Sequence, residues 1–291
     1  MSWIETQRSA VEAWDADYLG HMNVQFYVAR FSEAAMNASA ALGLTPGVMR
    51  DDRRGISTVR QRIRFMSELR PGDFLHVESG VAQIGTKSLM QVHRMTDSAT
   101  GKVAATMEQT VVLLDLDARR GLAWPEPMRE RARAMQIDWR NEPPSFPPIP
   151  DGIEGFRDTY RGAAMPWEMD VMGHLSVQFY VARFSAAAGH ALLNVGLTRE
   201  VMDANQWGLA ALDYVVTYAR ECKAGDCLAV KTGITEVNNK TLKLCHKMFD
   251  AVTNEHIATL EVVSLLFNSA ERRGQPLPSE MRAKAEALLV R

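Results

Sequence analysis

The chain has 291 residues, 46% of them hydrophobic, enough for two cores of ordinary size in domains of roughly 140 residues each. A formal net charge of −2 removes any overall electrostatic case for nucleic acid or an anionic membrane surface as partner. The opening MSWIETQRSAV has no basic region ahead of an apolar run, and no stretch approaches the ~18 to 20 apolar residues of a membrane span, so a cytoplasmic protein is expected.

In chain order, a short extended segment comes first, and then the sequence begins to repeat. Trp14–Thr45, WDADYLGHMNVQFYVARFSEAAMNASAALGLT, matches Trp167–Thr198, WEMDVMGHLSVQFYVARFSAAAGHALLNVGLT, at 19 of 32 positions. The offset of 153 persists without insertion at Gly55/Gly208, Gly72/Gly225, Asp73/Asp226, Lys87/Lys240, His93/His246, Glu108/Glu261, Pro125/Pro278 and Met128/Met281. The duplication therefore covers a whole domain, and residues needed for fold or chemistry are sought in pairs.

Within one repeat, Asp17 to Asn23 reads as a loop around Gly20, with Asp170 to Ser176 around Gly173 as its counterpart. A helix follows: Val24, Tyr27, Val28, Phe31, Ala34, Ala35, Ala38 and Leu42 recur at spacings of 3 and 4, and Gly43 or Gly196 stops it. Its apolar arc is wide, which predicts a central, buried helix. The period then drops to 2. Val59, Ile63 and Phe65 alternate with Thr58, Arg62 and Arg64, and strands follow from Phe74, from Leu89 and over 104–116. Turns fall at Pro71-Gly72-Asp73, Gly85-Thr86-Lys87 and Ser98 to Gly101. One long helix followed by an antiparallel meander packs as a curved sheet wrapped on that helix. A short charged helix closes each repeat, at Met128 to Met135 and Met281 to Leu289, and the proline-rich 141–153 reads as the linker between a domain at 1–140 and one at 154–291.

The loop before the helix holds the candidate chemistry. A helix start presents unpaired N–H groups and a positive dipole end suited to an oxyanion on a carbonyl. Asp17 and Asp170, a few residues upstream, are placed to act as base or nucleophile on that carbonyl, and Gly20 and Gly173 permit close approach. The residues by themselves leave a second meaning open, in which Asp17 caps the loop, Gly20 makes the turn and His21 satisfies a local hydrogen bond.

The pattern Asp17, Gly20, His21, Asn23 leading into Phe26 and Tyr27 resembles the hotdog-fold acyl-CoA thioesterases of the 4-hydroxybenzoyl-CoA type. Both repeats carry it, which implies an α+β protein of two hotdog domains in tandem, each an antiparallel sheet around one long helix. In that family the aspartate matching Asp17 and Asp170 is nucleophile or general base, and backbone N–H groups at the helix start, here near Val24 and Val177, polarise the thioester carbonyl. His21, His174, Asn23 and Ser176 complete the implied site. The exchange of Asn23 for Ser176 departs from the pattern and implies that the second site is weaker or differently tuned. The resemblance further implies an acyl-CoA or acyl-carrier thioester as substrate, CoA only as part of that substrate, no other cofactor, and a homodimer of double hotdogs. Lys87, Ser88, Lys240 and Thr241, at a hairpin entry, are the expected contacts for the CoA portion; an ordinary polar hairpin accounts for them equally well. Two alternatives stand beside hydrolysis. Hydration or dehydration of an acyl thioester usually comes with a longer, proline-containing Asp-to-His loop, which Asp17 to His21 lacks, and an acyl-CoA-binding module would need no turnover.

The rest of the chain is expected to be structural. His93 and His246 are assigned to a solvent-facing or cross-strand role, and Arg60, Arg62 and Arg64, replaced by Asp213, Val215 and Thr217 in the second repeat, either bind phosphate groups in one site only or form a solvated strand face whose counterpart is covered, the second being favoured. Cys222, Cys227 and Cys245 have no counterparts in the first repeat and form neither a disulfide framework nor a zinc spacing, and the 16 methionines read as core filling, so no metal is expected.

Overall fold

A computed structural model describes residues 2–140 and 142–290; Met1, Asn141 and Arg291, assigned above to the first domain, the linker and the second domain, lie outside the described residues. The chain divides into two compact units, Met1–Pro143 and Pro144–Arg291.

The first unit runs β1 (Ile4–Ala10), a 3-10 turn (Ala13–Asp15), α1 (Val24–Ala41), α2 (Pro46–Asp51), β2 (Arg54–Phe65), β3 (Phe74–Ile84), β4 (Ser88–Asp97), β5 (Val103–Asp115), β6 (Arg120–Gly121) and α3 (Glu126–Ala134). The second repeats this order as β7 (Arg157–Ala163), a 3-10 turn (Pro166–Glu168), α4 (Val177–Leu193), α5 (Arg199–Asn205), β8 (Trp207–Tyr218), β9 (Cys227–Val237), β10 (Thr241–Asp250), β11 (His256–Asn268), β12 (Arg273–Gly274) and α6 (Ser279–Ala287). The sheet of the first unit is ordered β1-β3-β4-β5-β2 and that of the second β7-β9-β10-β11-β8, every pairing antiparallel. The opening extended segment thus joins the sheet edge rather than standing apart from the meander.

Each long helix packs on one face of its own sheet. Tyr27, Val28, Phe31, Ala34 and Ala38 of α1 are buried, as are Tyr180, Val181, Phe184, Ala187 and Ala191 of α4. Full burial of each large apolar side chain among them contributes about 1.5–3 kcal/mol. Beyond the C-terminal end of α1, Leu42 and Leu44 pack with Leu89, Val111, Leu113, Trp124 and Met128, tying α3 to the sheet. The short helices α2 and α5 are absent from the sequence reading, although Thr45 and Thr198 cap them by accepting the N–H of Val48 (3.3 Å) and Val201 (3.2 Å). Six and seven residues are too few to reveal a helical period.

Alternation in β2 is interrupted where the reading assumed continuity. The register slips between Thr58 and Arg60, so Val59 sits in a bulge and is 38% exposed, while Gln61, Ile63 and Phe65 keep one face. On the opposite face, Gly80 and Gly233 admit the segments that follow α3 and α6: a Cβ on Gly80 would meet Ile137 at 2.7 Å, and one on Gly233 would meet Val290 at 2.7 Å.

Candidate active site

The loop ahead of α1 is a tight hairpin built by its own backbone. Ala16 bridges Met22, the Asp17 N–H donates to the His21 carbonyl (2.7 Å), and the Gly20 N–H donates to the Asp17 carbonyl (3.0 Å). Gly20 has φ +76°, and Gly173 has φ +79° in the equivalent hairpin closed by Met169 and Leu175, a conformation in which a side chain would be strained. The base of the hairpin is pinned by Asn23 N–H to Asp15 carbonyl (2.8 Å) and Met22 N–H to Leu69 carbonyl (2.7 Å). Ser176 N–H to Glu168 (2.9 Å) and Leu175 N–H to Cys222 (2.8 Å) do the same in the second unit.

Asp17 uses one carboxylate oxygen for the loop and leaves the other outside it. Its Oδ1 accepts from the N–H groups of Leu19 (2.8 Å) and His21 (3.2 Å), and Asp170 Oδ1 accepts from Met172 (2.8 Å) and His174 (3.0 Å). Among the described residues, Oδ2 of neither aspartate has a hydrogen-bond partner. The loop-holding role is therefore real, and it leaves an oxygen available.

The start of α1 is equally specific. The Asn23 side chain caps it by accepting from the Gln25 N–H (3.1 Å), and the Phe26 N–H donates to the Asn23 carbonyl (2.9 Å). Among the described residues this leaves the Val24 N–H as the first-turn donor without a partner. In the second unit Ser176 makes no side-chain cap bond, so among the described residues both the Val177 and Gln178 N–H groups are open, while Phe179 still donates to the Ser176 carbonyl (2.9 Å). The Asn/Ser exchange thus changes how many donors the helix start presents.

His21 is held away from solvent by Glu68, with Nε2 3.2 Å from Oε2, and Arg70 Nη2 lies 3.1 Å from the same nitrogen. His174 and Glu221 form the same pair at 3.2 Å. Tyr27, one turn into α1, anchors the strand-side wall: its hydroxyl accepts from the Leu69 N–H (3.1 Å), and burial pushes its pKa well above the usual phenol value.

A buried ion pair under the loop escaped sequence reasoning. Asp15, 1% exposed, accepts from Arg30 Nη2 at 2.8 Å and from the Glu12 N–H at 3.0 Å. Glu168 and Arg183 repeat the pair at 2.5 Å. The identical arginines at an offset of 153 were the available signal; the changed partner, Asp to Glu, hid it.

Several expectations need correction. Of the two roles expected for His93 and His246, the solvent-facing one is overturned, since both are fully buried, and the cross-strand one holds. Each Nδ1 hydrogen-bonds across to β3 or β9, to Ser79 Oγ (2.6 Å) and Thr232 Oγ1 (2.7 Å), and burial pushes both imidazoles down to about 3. Arg62 is not on a solvated face either. It is 6% exposed, stands opposite Glu108 in register, and donates to the Glu142 carbonyl, while Trp139 Nε1 donates to Glu108 (2.9 Å) and Arg64 lies 5.9 Å from the Trp139 ring. The chain beyond α3 thus meets Arg62 and Arg64.

Lys87 and Ser88 sit at the β3–β4 hairpin, beside the core cluster at the C-terminal end of α1, whereas Asp17 precedes its N-terminal end. With 18 residues in α1, these ends are roughly 27 Å apart. Within one unit the structure does not bring the lysine hairpin to the aspartate loop, and Lys240, whose Nζ donates to the Gly274 carbonyl (2.8 Å), and Thr241 are placed likewise. Among the described residues no group of three or more His, Cys, Asp or Glu is arranged to hold a metal ion, and no helix is long and apolar enough to cross a membrane.

A family model, the thioesterase-like superfamily, matches residues 11–132 and again residues 165–285. The chain belongs to the thioesterase-like superfamily. It carries two domains of this thioester-hydrolase family in tandem, each centred on the hairpin and helix just described. A betainyl-CoA thioesterase of Pseudomonas aeruginosa is 28% identical over 130 residues, covering 45% of this chain and 82% of that protein. An L-carnitine dehydrogenase/betainyl-CoA thioesterase of Rhizobium sp is 27% identical over 132 residues, 45% of this chain but only 26% of that protein. In fold, the chain is similar to the 12:0-ACP thioesterase of Umbellularia californica, with a TM-score of 0.69 at 15% identity over 91% of this chain and 94% of that one. An acyl-ACP thioesterase of Bacteroides thetaiotaomicron gives a TM-score of 0.68 at 14% identity, covering 88% and 96%. These likenesses establish the tandem hotdog architecture.

Proposed function

We propose that the protein hydrolyses an acyl-CoA or acyl-carrier thioester to the free acid and thiol, with Asp17 and Asp170 as general base or nucleophile. What carries this assignment is the pairing, present in both units, of an aspartate oxygen outside its loop's hydrogen bonds with an unpartnered N–H at the start of the following helix. A thioester carbonyl set against the Val24 N–H receives a hydrogen bond that strengthens as negative charge develops on its oxygen. Asp17 Oδ2 then takes a proton from a water whose oxygen adds to the carbonyl carbon, or itself adds to that carbon; the C–S bond breaks, the thiolate leaves with the sulfur's electron pair, and in the second case water then hydrolyses the acyl-aspartyl anhydride to the free acid and aspartate. The two N–H bonds to Oδ1 fix the carboxylate without consuming the second oxygen, and the Glu68–His21 pair holds the far side of the hairpin. The second unit offers the Val177 and Gln178 N–H groups to the same end. The betainyl-CoA thioesterase relative favours CoA as the thiol carrier, and it brings short, charged acyl groups into the set worth testing.

The test is thiol release from a panel of acyl-CoA and acyl-carrier substrates by the full chain. Asp17→Asn preserves the Oδ1 acceptor while removing the basic oxygen, so turnover at that site should fall by about 10²-fold or more with the fold unchanged. Near wild-type turnover in the double variant Asp17→Asn, Asp170→Asn would exclude the aspartates from the chemistry.

A further inference from the structure

Under α1 the first unit carries a polar row that the second lacks. Gln91, Gln109 and Gln61 stand side by side in register on β4, β5 and β2, sharing the helix-facing side with Leu89, Val111 and Ile63. They are only 1%, 4% and 2% exposed. The positions offset by 153 are Leu244, Val262 and Tyr214, so the fold itself does not require amides there.

The hydrogen bonds assign a direction to this row. Thr6 Oγ1 donates to the Val77 carbonyl (3.2 Å), which makes Ser79 Oγ the donor to Thr6 (2.6 Å) and His93 Nδ1 the donor to Ser79 (2.6 Å). His93 Nε2 is then an acceptor, served by Gln109 Nε2 at 3.2 Å. Gln109 Nε2 also donates to Gln91 Oε1 (2.7 Å), and Gln109 Oε1 accepts from Gln61 (3.3 Å). The chain of bonds ends at Gln91 Nε2, a buried donor with no partner among the described residues. A buried amide donor left open in one unit, at a site the other unit fills with leucine, is a cost the fold does not need.

We infer that the first unit holds an internal subsite, centred on Gln91 Nε2, for an oxygen carried on the distal part of a medium-length acyl chain. It rests on the thioester-hydrolase assignment above and adds the substrate's acyl chemistry to it. His93 lies against Phe31, with ring centroids 6.3 Å apart, and Leu89 packs with Ala38 and Leu42. Gln91 is therefore level with Ala34, roughly 15 Å along α1 from the Val24 N–H at 1.5 Å of rise per residue. The residue of α1 at that level, Ala34, is small and fully buried. An acyl chain whose carbonyl sits at Val24 reaches the row with its distal carbons, and only a chain bearing a hydroxyl, keto or similar acceptor oxygen there satisfies the amide. A plain alkyl chain leaves that donor unpaired.

The experiment compares matched acyl-CoA pairs of equal medium chain length, one plain and one with a distal hydroxyl or keto oxygen, on the full chain and on Gln91→Leu, with Gln91→Met as a second variant. Thiol release gives kcat/KM, and the rise in melting temperature on adding the same compounds reads binding without turnover. The wild type should favour the oxygenated partner by about tenfold, the scale of one buried hydrogen bond, and both variants should lose that preference through KM. Equal preference in the wild type, or a preference unchanged by both variants, would overturn the subsite and leave the row a structural network. Failure to release thiol from any substrate would instead count against the hydrolase assignment, and the melting-temperature comparison would still decide the subsite.

Discussion

Val24→Pro isolates the proposed oxyanion donor with little disturbance elsewhere. Proline at the first helical position is favoured, because its missing N–H is one the helix does not use and its fixed φ suits the first turn. The preceding residue must be extended, and Asn23 already is, at φ −67° and ψ 143°. The cap from Asn23 to the Gln25 N–H and the bond from the Phe26 N–H to the Asn23 carbonyl do not involve the Val24 nitrogen, so both survive. Only the unpartnered donor is lost. Removing one such donor typically costs about 2.7–4 kcal/mol of transition-state stabilisation, or about 10²–10³ in kcat. The equivalent Val177→Pro is also accommodated, with Ser176 at φ −63° and ψ 141°, but Gln178 keeps an open N–H there and the loss should be smaller. The assay is single-turnover thiol release by each single variant and the double variant, alongside circular dichroism and melting temperature. A double variant that is folded as the wild type and turns over within about twofold of it would refute the helix-start N–H as the oxyanion donor.

Other expectations follow from the same contacts. Arg30→Ala strands the Asp15 carboxylate, buried and 2.8 Å from the lost guanidinium, and should lower stability by about 3–5 kcal/mol in urea denaturation. Asn23→Ala removes a cap bond and should cost about 0.5–2 kcal/mol, whereas Ser176→Ala, with no cap bond to lose, should move the melting temperature less. His93 and His246, pushed down to about 3 by burial, stay neutral in the native state, while the unfolded chain binds their protons below about 6.5. Their contribution is thus complete above about pH 6.5 and declines as pH falls towards 3; urea midpoints measured across that window should fall less steeply in the variant His93→Asn, His246→Asn.

The duplication, the long helix, the strand succession and the hairpin loop were all legible in the sequence, because each is written in local terms: a period of 3.6 or 2, a glycine where φ must be positive, a proline or a capping side chain at a boundary. The pairing of Asp17 with a helix start was legible for the same reason, since only six residues separate Asp17 from Val24. Which groups are buried and with whom was not. His93 and Ser79 meet only once β3 and β4 are in register, and the bulge at Val59 shifts the alternation that would have foretold which face of β2 carries Gln61. Arg62 looked like a surface residue because the segment that covers it arrives some eighty positions later in the chain. Asp15 and Arg30 are a loop residue and a helix residue of unremarkable type until the hairpin folds back and removes both from water. Side-chain direction depends on nearest neighbours in the chain, but burial depends on what packs on top, and that was decided by the tertiary structure.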